Sequence, residues 1–239
     1  MIVCLDSGNS RIKWGVHDGR CWLAQGAVAH PEVEQLAALV ATWPQPERVM
    51  LANVAGANAA AKIRQHLAAW APLISEVAAS ERAAGVTNGY AQPQRLGVDR
   101  WCALIGARSL VDSAAVVVMA GTATTIDSLD AAGNFLGGLI LPGVDLMLRS
   151  LARETAGLPF AAGQHQAWPQ CTDDAIVSGA LEAQAGAIER AWQRLAAADK
   201  SCLLSGGNAA RLGELLRIPH RQVDNLPLEG LRVIALQGA

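Results

Sequence analysis

Apolar positions in this chain come in short blocks that end at glycine-bearing turns. Ile2-Val3-Cys4-Leu5 is the first block. It stops at Asp6-Ser7-Gly8-Asn9-Ser10, and apolar residues resume at Ile12, Trp14 and Val16, every second position. Block, tight turn and alternation predict two strands over roughly 2–16, with a third near Cys21 to Val28. From Val33 to Trp43 the spacing becomes helical and ends before Pro44. A short apolar strand is expected at 49–54, and a helix over 59–70 that ends before Pro72. Residues 90–100 read as a loop feeding a helix over 101–111. The order then returns: strands at 115–120, 124–129 and 135–141, with a turn at 130–134, and a helix at 144–153. Residues 154–171 contain two prolines and show no period, so they read as a long loop, a length that is often functional. A helix over 173–198 places Val177, Leu181, Ile188, Trp192 and Leu195 on one face. A strand at 201–204, the turn Ser205-Gly206-Gly207-Asn208, a helix through Leu216 and a closing strand near 233–236 complete the reading.

Three strands followed by alternating helices and strands, twice over, predict an α/β chain. The expected architecture is two ribonuclease-H-like (actin-like ATPase) domains, 1–113 and 114–239, each a mixed five-stranded sheet flanked by helices. Alternation alone also fits a doubly wound sheet. GxGxxG and GxxxxGK[ST] are both missing from the sequence, so dinucleotide and P-loop sites are not indicated.

Bulk properties narrow the chemistry. With 239 residues, 51% hydrophobic and 17% charged, there is ample material for folded cores and no disorder signature. A net charge of −2 gives no footprint for nucleic acid or for an anionic membrane. No stretch reaches membrane-spanning length, and the N-terminus lacks a basic signal region. Five cysteines without a CxxC pair read as buried free thiols in a reducing cytoplasm. The histidines lack zinc-site spacing. Lysine occurs only at 13, 62 and 200, which singles out Lys13 beside the first turn.

That turn has the make-up of a phosphate loop. Glycine admits close backbone approach, hydroxyls and Lys13 donate to phosphate oxygens, and Asp6 can hold Mg²⁺ through water. Asp, Ser, Gly and Asn are also ordinary hairpin formers. Another strand leads into Gly121-Thr122-Ala123-Thr124-Thr125-Ile126-Asp127, a second loop of this kind, and a pair of such loops suggests a nucleotide held between two related halves. Asp99, ahead of the helix at Trp101, reads either as a carboxylate favoured by the helix dipole or as a proton acceptor for an alcohol in phosphoryl transfer. Thr172, before Asp173-Asp174, fits an ordinary N-cap.

Asp6-Ser7-Gly8-Asn9-Ser10, Gly97-Val98-Asp99-Arg100, Gly121 to Asp127 and Gly138-Leu139-Ile140-Leu141-Pro142-Gly143 together resemble the successive signatures of the type III pantothenate kinases, in order and spacing, over almost the whole chain. The resemblance implies an enzyme that phosphorylates pantothenate to 4'-phosphopantothenate with Mg²⁺ and ATP, the first step of coenzyme A biosynthesis. It implies Asp99 as catalytic base, and Asp6, Ser7, Gly8, Asn9, Ser10, Arg11, Ile12 and Lys13 with Gly121 and Thr122 on the phosphates. It also implies Gly206 and Gly207 on adenosine, and Tyr90, Gly97, Val98, Asp99, Arg100 and Thr172 on the substrate. Thr172 would act from the partner of a homodimer. Many relatives bind K⁺ or NH4⁺ through an aspartate two residues before Gly121; Met119 stands there, which puts cation activation in doubt. A kinase for another small hydroxy acid or sugar is the alternative enzyme. A catalytically silent regulatory homologue is the non-enzymatic one, and retention of Asp6, Asp99 and the glycines speaks against it.

Overall fold

The structure is a computed structural model that describes residues 1–237. The chain divides into two units, residues 1–112 with 133–135 and the segment from Asn225 onward, and residues 113–132 with 136–224.

In the first unit β1 (Ile2–Ser7), β2 (Arg11–His17), β3 (Trp22–Ala29), β4 (Arg48–Asn53) and β5 (Ile74–Glu76) form one sheet in the order β3-β2-β1-β4-β5. β1 runs antiparallel to β2, with Asp6 opposite Lys13, and parallel to β4. Both faces of β1 are covered, which is why its apolar run is unbroken rather than alternating. Val3 and Leu5 face a core with Ile63, Leu67 and Trp70. Ile2 and Cys4 face Cys102, Leu228 and Leu231. Strand alternation puts Asp6 on the Cys4 face and Ser7 on the Leu5 face. After β3 come a 3-10 turn, His30–Leu36, and α1 (Ala37–Thr42); α2 (Ala57–His66) leads into a second 3-10 turn, Ala68–Leu73. A small hairpin, β6 (Arg82–Ala83) and β7 (Val86–Thr87), precedes α3 (Val98–Leu110).

The second unit repeats the plan with β8 (Ala114–Ala120), β9 (Ala123–Leu129), β10 (Phe135–Pro142), α4 (Val144–Glu154), α5 (Thr172–Arg194), β11 (Lys200–Ser205), α6 (Ala209–Gly213) and β12 (Arg221–Gln222). Sheet order is β10-β9-β8-β11-β12. Val116, Val118 and Ala120 pack on Leu148, Val177, Leu181 and Ile188, so the expected apolar face of α5 is the one buried. Two five-stranded mixed sheets of identical order match the duplicated ribonuclease-H-like expectation.

Several expectations need correction. The closing strand near 233–236 is instead α7 (Leu226–Gln237), and the last strand is β12. The segment carrying α7 groups with the first unit, as do residues 133–135, so the two units are not divided by one boundary near residue 113. The helix expected at 33–43 begins as part of the 3-10 turn His30–Leu36 and is α-helical only over Ala37–Thr42. The helix expected to reach Trp70 ends at His66, and the one expected through Leu216 ends at Gly213. α5 stops at Arg194, not Ala198. Cys4, Cys102 and Cys202 are buried as expected, but Cys21 and Cys171 are exposed; all five are free thiols.

Candidate functional site

In the first unit the site residues gather at the C-terminal end of β1 and the N-terminal end of α3. Asp6 is 7% exposed, and its Oδ1 meets no protein donor. Burial pushes its carboxyl up to about 6; Lys13 opposes the shift and the Asp99 carboxylate adds to it. An ionisable oxygen held in a dry place with a free lone pair is what a water-coordinated cation would occupy. Gly8 closes the hairpin by donating its N–H to the Arg11 carbonyl at 3.1 Å. Asn9, Ser10 and Arg11 are exposed around that turn, and Lys13 is half-buried. Ile12 and Ser7 lie elsewhere: both side chains are fully buried, and the Ser7 Oγ has no partner. Neither side chain is therefore open to a phosphate at that turn.

Asp99 sits in the first turn of α3 rather than ahead of the helix. Its Oδ1 accepts from the Arg100 N–H at 2.8 Å. Gly97 makes this possible: a Cβ there would lie 2.7 Å from the same Oδ1. Arg100 is 4% exposed and donates from Nη1 to the Tyr90 hydroxyl at 2.8 Å. Its guanidinium also lies over the rings of Tyr90 and Phe135, at 5.7 and 5.8 Å. These rings stack on each other at 5.5 Å. The result is a half-buried wall with a fixed cation and a hydroxyl, suited to a small polar acid.

In the second unit the expected loops meet at the end of β8. Gly121 and Thr122 are exposed at the β8–β9 turn. The Thr122 carbonyl accepts from the Gly143 N–H at 2.9 Å, and a side chain at 143 would run into both the Gly121 and Thr122 carbonyls. Gly206 has φ +105, and a Cβ on it would collide with the Ala120 backbone. Asn208 donates its N–H to the Ala120 carbonyl at 3.1 Å, while Gly207 faces open space. Met119 pairs with Thr125 on one side and Ser205 on the other. Its thioether is a poor ligand for a hard cation, so the side chain at this position does not itself fit K⁺. Thr172 opens α5 as an exposed first residue; Cys171 takes the N-cap place and makes no side-chain cap.

Two organising residues escape a reading of the sequence. Asn88 is buried and holds the loop before α3, donating to the Ser80 and Pro93 carbonyls and accepting from the Tyr90 N–H. His30, at the end of β3, reaches the Gly8 carbonyl with Nε2 at 2.6 Å. Neither lies in a motif, because each acts on a partner that only the fold brings near. Among the described residues no cluster of three or more His, Cys, Asp or Glu forms a metal cage.

Comparison with known proteins follows the same line. Residues 2–194 match the family described as type III pantothenate kinase. A Dechloromonas aromatica protein of that name is 68% identical, with 99% of this chain and 100% of the relative covered. One from Aromatoleum aromaticum is 52% identical over 100% and 99%. Among solved structures, a Campylobacter jejuni protein carrying a Baf family name aligns at TM-score 0.67, 20% identity and 99% and 98% coverage. Component A of (R)-2-hydroxyglutaryl-CoA dehydratase from Acidaminococcus fermentans aligns at TM-score 0.54, 12% identity and 99% and 96% coverage. At such identities the last two share the fold alone.

Proposed function

The chain belongs to the type III pantothenate kinase family, and on that premise we propose that it transfers the γ-phosphoryl group of ATP to the primary hydroxyl of pantothenate, giving 4'-phosphopantothenate and ADP, the first step toward coenzyme A. The observation that carries the reading is the pair of carboxylates in the first unit: Asp6, buried with an unpartnered oxygen, and Asp99, held at a helix N-terminus and electrostatically felt by Asp6. Phosphoryl transfer asks little covalent chemistry of a protein; it needs aligned partners and stabilised charge. Asp99 accepts the proton as the substrate oxygen bonds to phosphorus and the bridging oxygen leaves with ADP. Arg100 and Tyr90 orient the pantothenate carboxylate or amide. Lys13 and the backbone N–H groups of Asn9 and Ser10 donate to the phosphates, with Gly121 and Thr122 as a second set and the Gly206-Gly207 turn for adenosine. Asp6 fits Mg²⁺ delivered with ATP, which neutralises phosphate charge when bound.

The working form we propose is a cytoplasmic homodimer in which Thr172 serves the partner's substrate. The apolar side chains left exposed on the second unit support it, with Ile140 64%, Phe160 61% and Trp168 88% exposed. Leu146 and Phe160 line one groove with Arg149 and Arg153. Among the described residues no helix is long and apolar enough to cross a membrane.

ADP release followed with pantothenate, and with a panel of sugars and other hydroxy acids, tests the reading. Turnover should require pantothenate, and Asp99→Asn should lower kcat by about 10²–10⁴-fold with MgATP binding retained. Turnover with a sugar alone, or more than about a third of the wild-type kcat in the variant, would overturn it.

A further inference from the structure

We infer that His30 is a positioning residue for ATP: it locks the Gly8–Asn9 peptide so that the Asn9 N–H, and not the Gly8 carbonyl, faces a phosphate oxygen. The inference rests on residues 6–13 being the phosphate loop. Arg11 pairs with Ala29, so the residue after β3 lies alongside the hairpin turn. His30 Nε2 stands 2.6 Å from the Gly8 carbonyl oxygen, and since that oxygen only accepts, Nε2 carries the proton. The Gly8 N–H is already given to Arg11. Both polar groups of Gly8 are thus tied.

The consequence follows from peptide planarity. In a trans peptide the C=O of one residue and the N–H of the next point in opposite directions. Holding the Gly8 carbonyl toward the imidazole therefore turns the Asn9 N–H to the other side. Glycine flips its peptide more readily than any other residue. A flip here would aim a carbonyl dipole at an anion in place of a donor. The sequence needs glycine for close approach, and His30 restores the rigidity that glycine gives up.

The test is steady-state kinetics of the full chain with MgATP and pantothenate varied separately, with calorimetric binding of MgATP and thermal melts alongside. His30→Gln keeps a donor at about the reach of Nε2, whereas His30→Met fills similar space without one. We expect His30→Met to raise the KM for MgATP about tenfold, the scale of one lost hydrogen bond, with kcat and the KM for pantothenate within about threefold. His30→Gln should recover most of the loss at an unchanged melting temperature. Equal KM values for MgATP in the two variants, or a loss shared by both substrates, would overturn the inference alone. A wild-type protein that does not bind MgATP would overturn the phosphate-loop reading along with it.

Discussion

At the scale of single residues, Asp6 costs the fold stability, and on the proposed function it does so for the sake of Mg²⁺ and ATP. Its carboxyl is raised from 3.8 to about 6, chiefly by burial. The folded chain therefore keeps this proton in a range where the unfolded chain has released it. The ionised group costs stability; the cost appears as pH rises from about 4 to about 6 and is present in full above that. Asp6→Asn removes it. Without nucleotide the variant should be more stable than wild type by up to about 3 kcal/mol at pH 7.5, and the difference should vanish toward pH 4. Melts across that range check the sign, and loss of MgATP-dependent turnover in the same variant completes the trade. Gly97→Ala makes a second prediction. Its φ of −54 suits any residue, so only the Asp99 carboxylate is displaced. We expect kcat to fall at least about tenfold while the melting temperature stays within a few degrees. Asp6 and Asp99 were legible in the sequence because each flanks an apolar run. His30 and Asn88 were not, because their partners are set by strand pairing and loop closure.

At the scale of elements, the two sheets were legible because apolar runs ending in glycine turns mark strands that are buried on both faces. The hairpin at 82–87 was not. Its two-residue turn is Ala84-Gly85, with φ of +50 and +78, and alanine carries none of the usual signal for that backbone. α7 was misread because Val233-Ile234-Ala235-Leu236 looks like a strand by propensity; packing of Leu228 and Leu231 against Cys102 decided otherwise. The end of β8 yields a functional prediction. Side chains of directly paired residues share a sheet face, so Met119 stands with Thr125 and Ser205. The Thr125 Oγ1 is buried there without a partner. Activity at matched ionic strength should be nearly the same in sodium, potassium and ammonium. Met119→Asp should add a potassium dependence, since a carboxylate would join that hydroxyl. Saturable potassium activation of the wild type would show the expectation to be mistaken.

At the scale of the molecule, the helix bearing Asp99 and Arg100 is held from behind by the last helix of the chain. α3 and α7 cross at two glycines: a Cβ on Gly106 would strike the Leu226 carbonyl, and one on Gly230 the Cys102 carbonyl. Backbone cannot yield as a side-chain tip can, so Gly106→Ala or Gly230→Ala should each cost about 1–3 kcal/mol. Denaturant melts would read the loss, and unchanged midpoints would mean that the helices can separate freely. The crossing also sets an order of events at the ribosome. Everything in the second unit lies between residues 113 and 224, so that unit is fully synthesised while the first still lacks its final piece. Until residues 226–237 emerge, a nascent chain carries the first sheet and α3 with Cys102 and its apolar neighbours bare. The part of the chain made first is thus the part finished last: a product that stops before Leu226 holds Asp6, Asp99 and Arg100 with no helix behind α3.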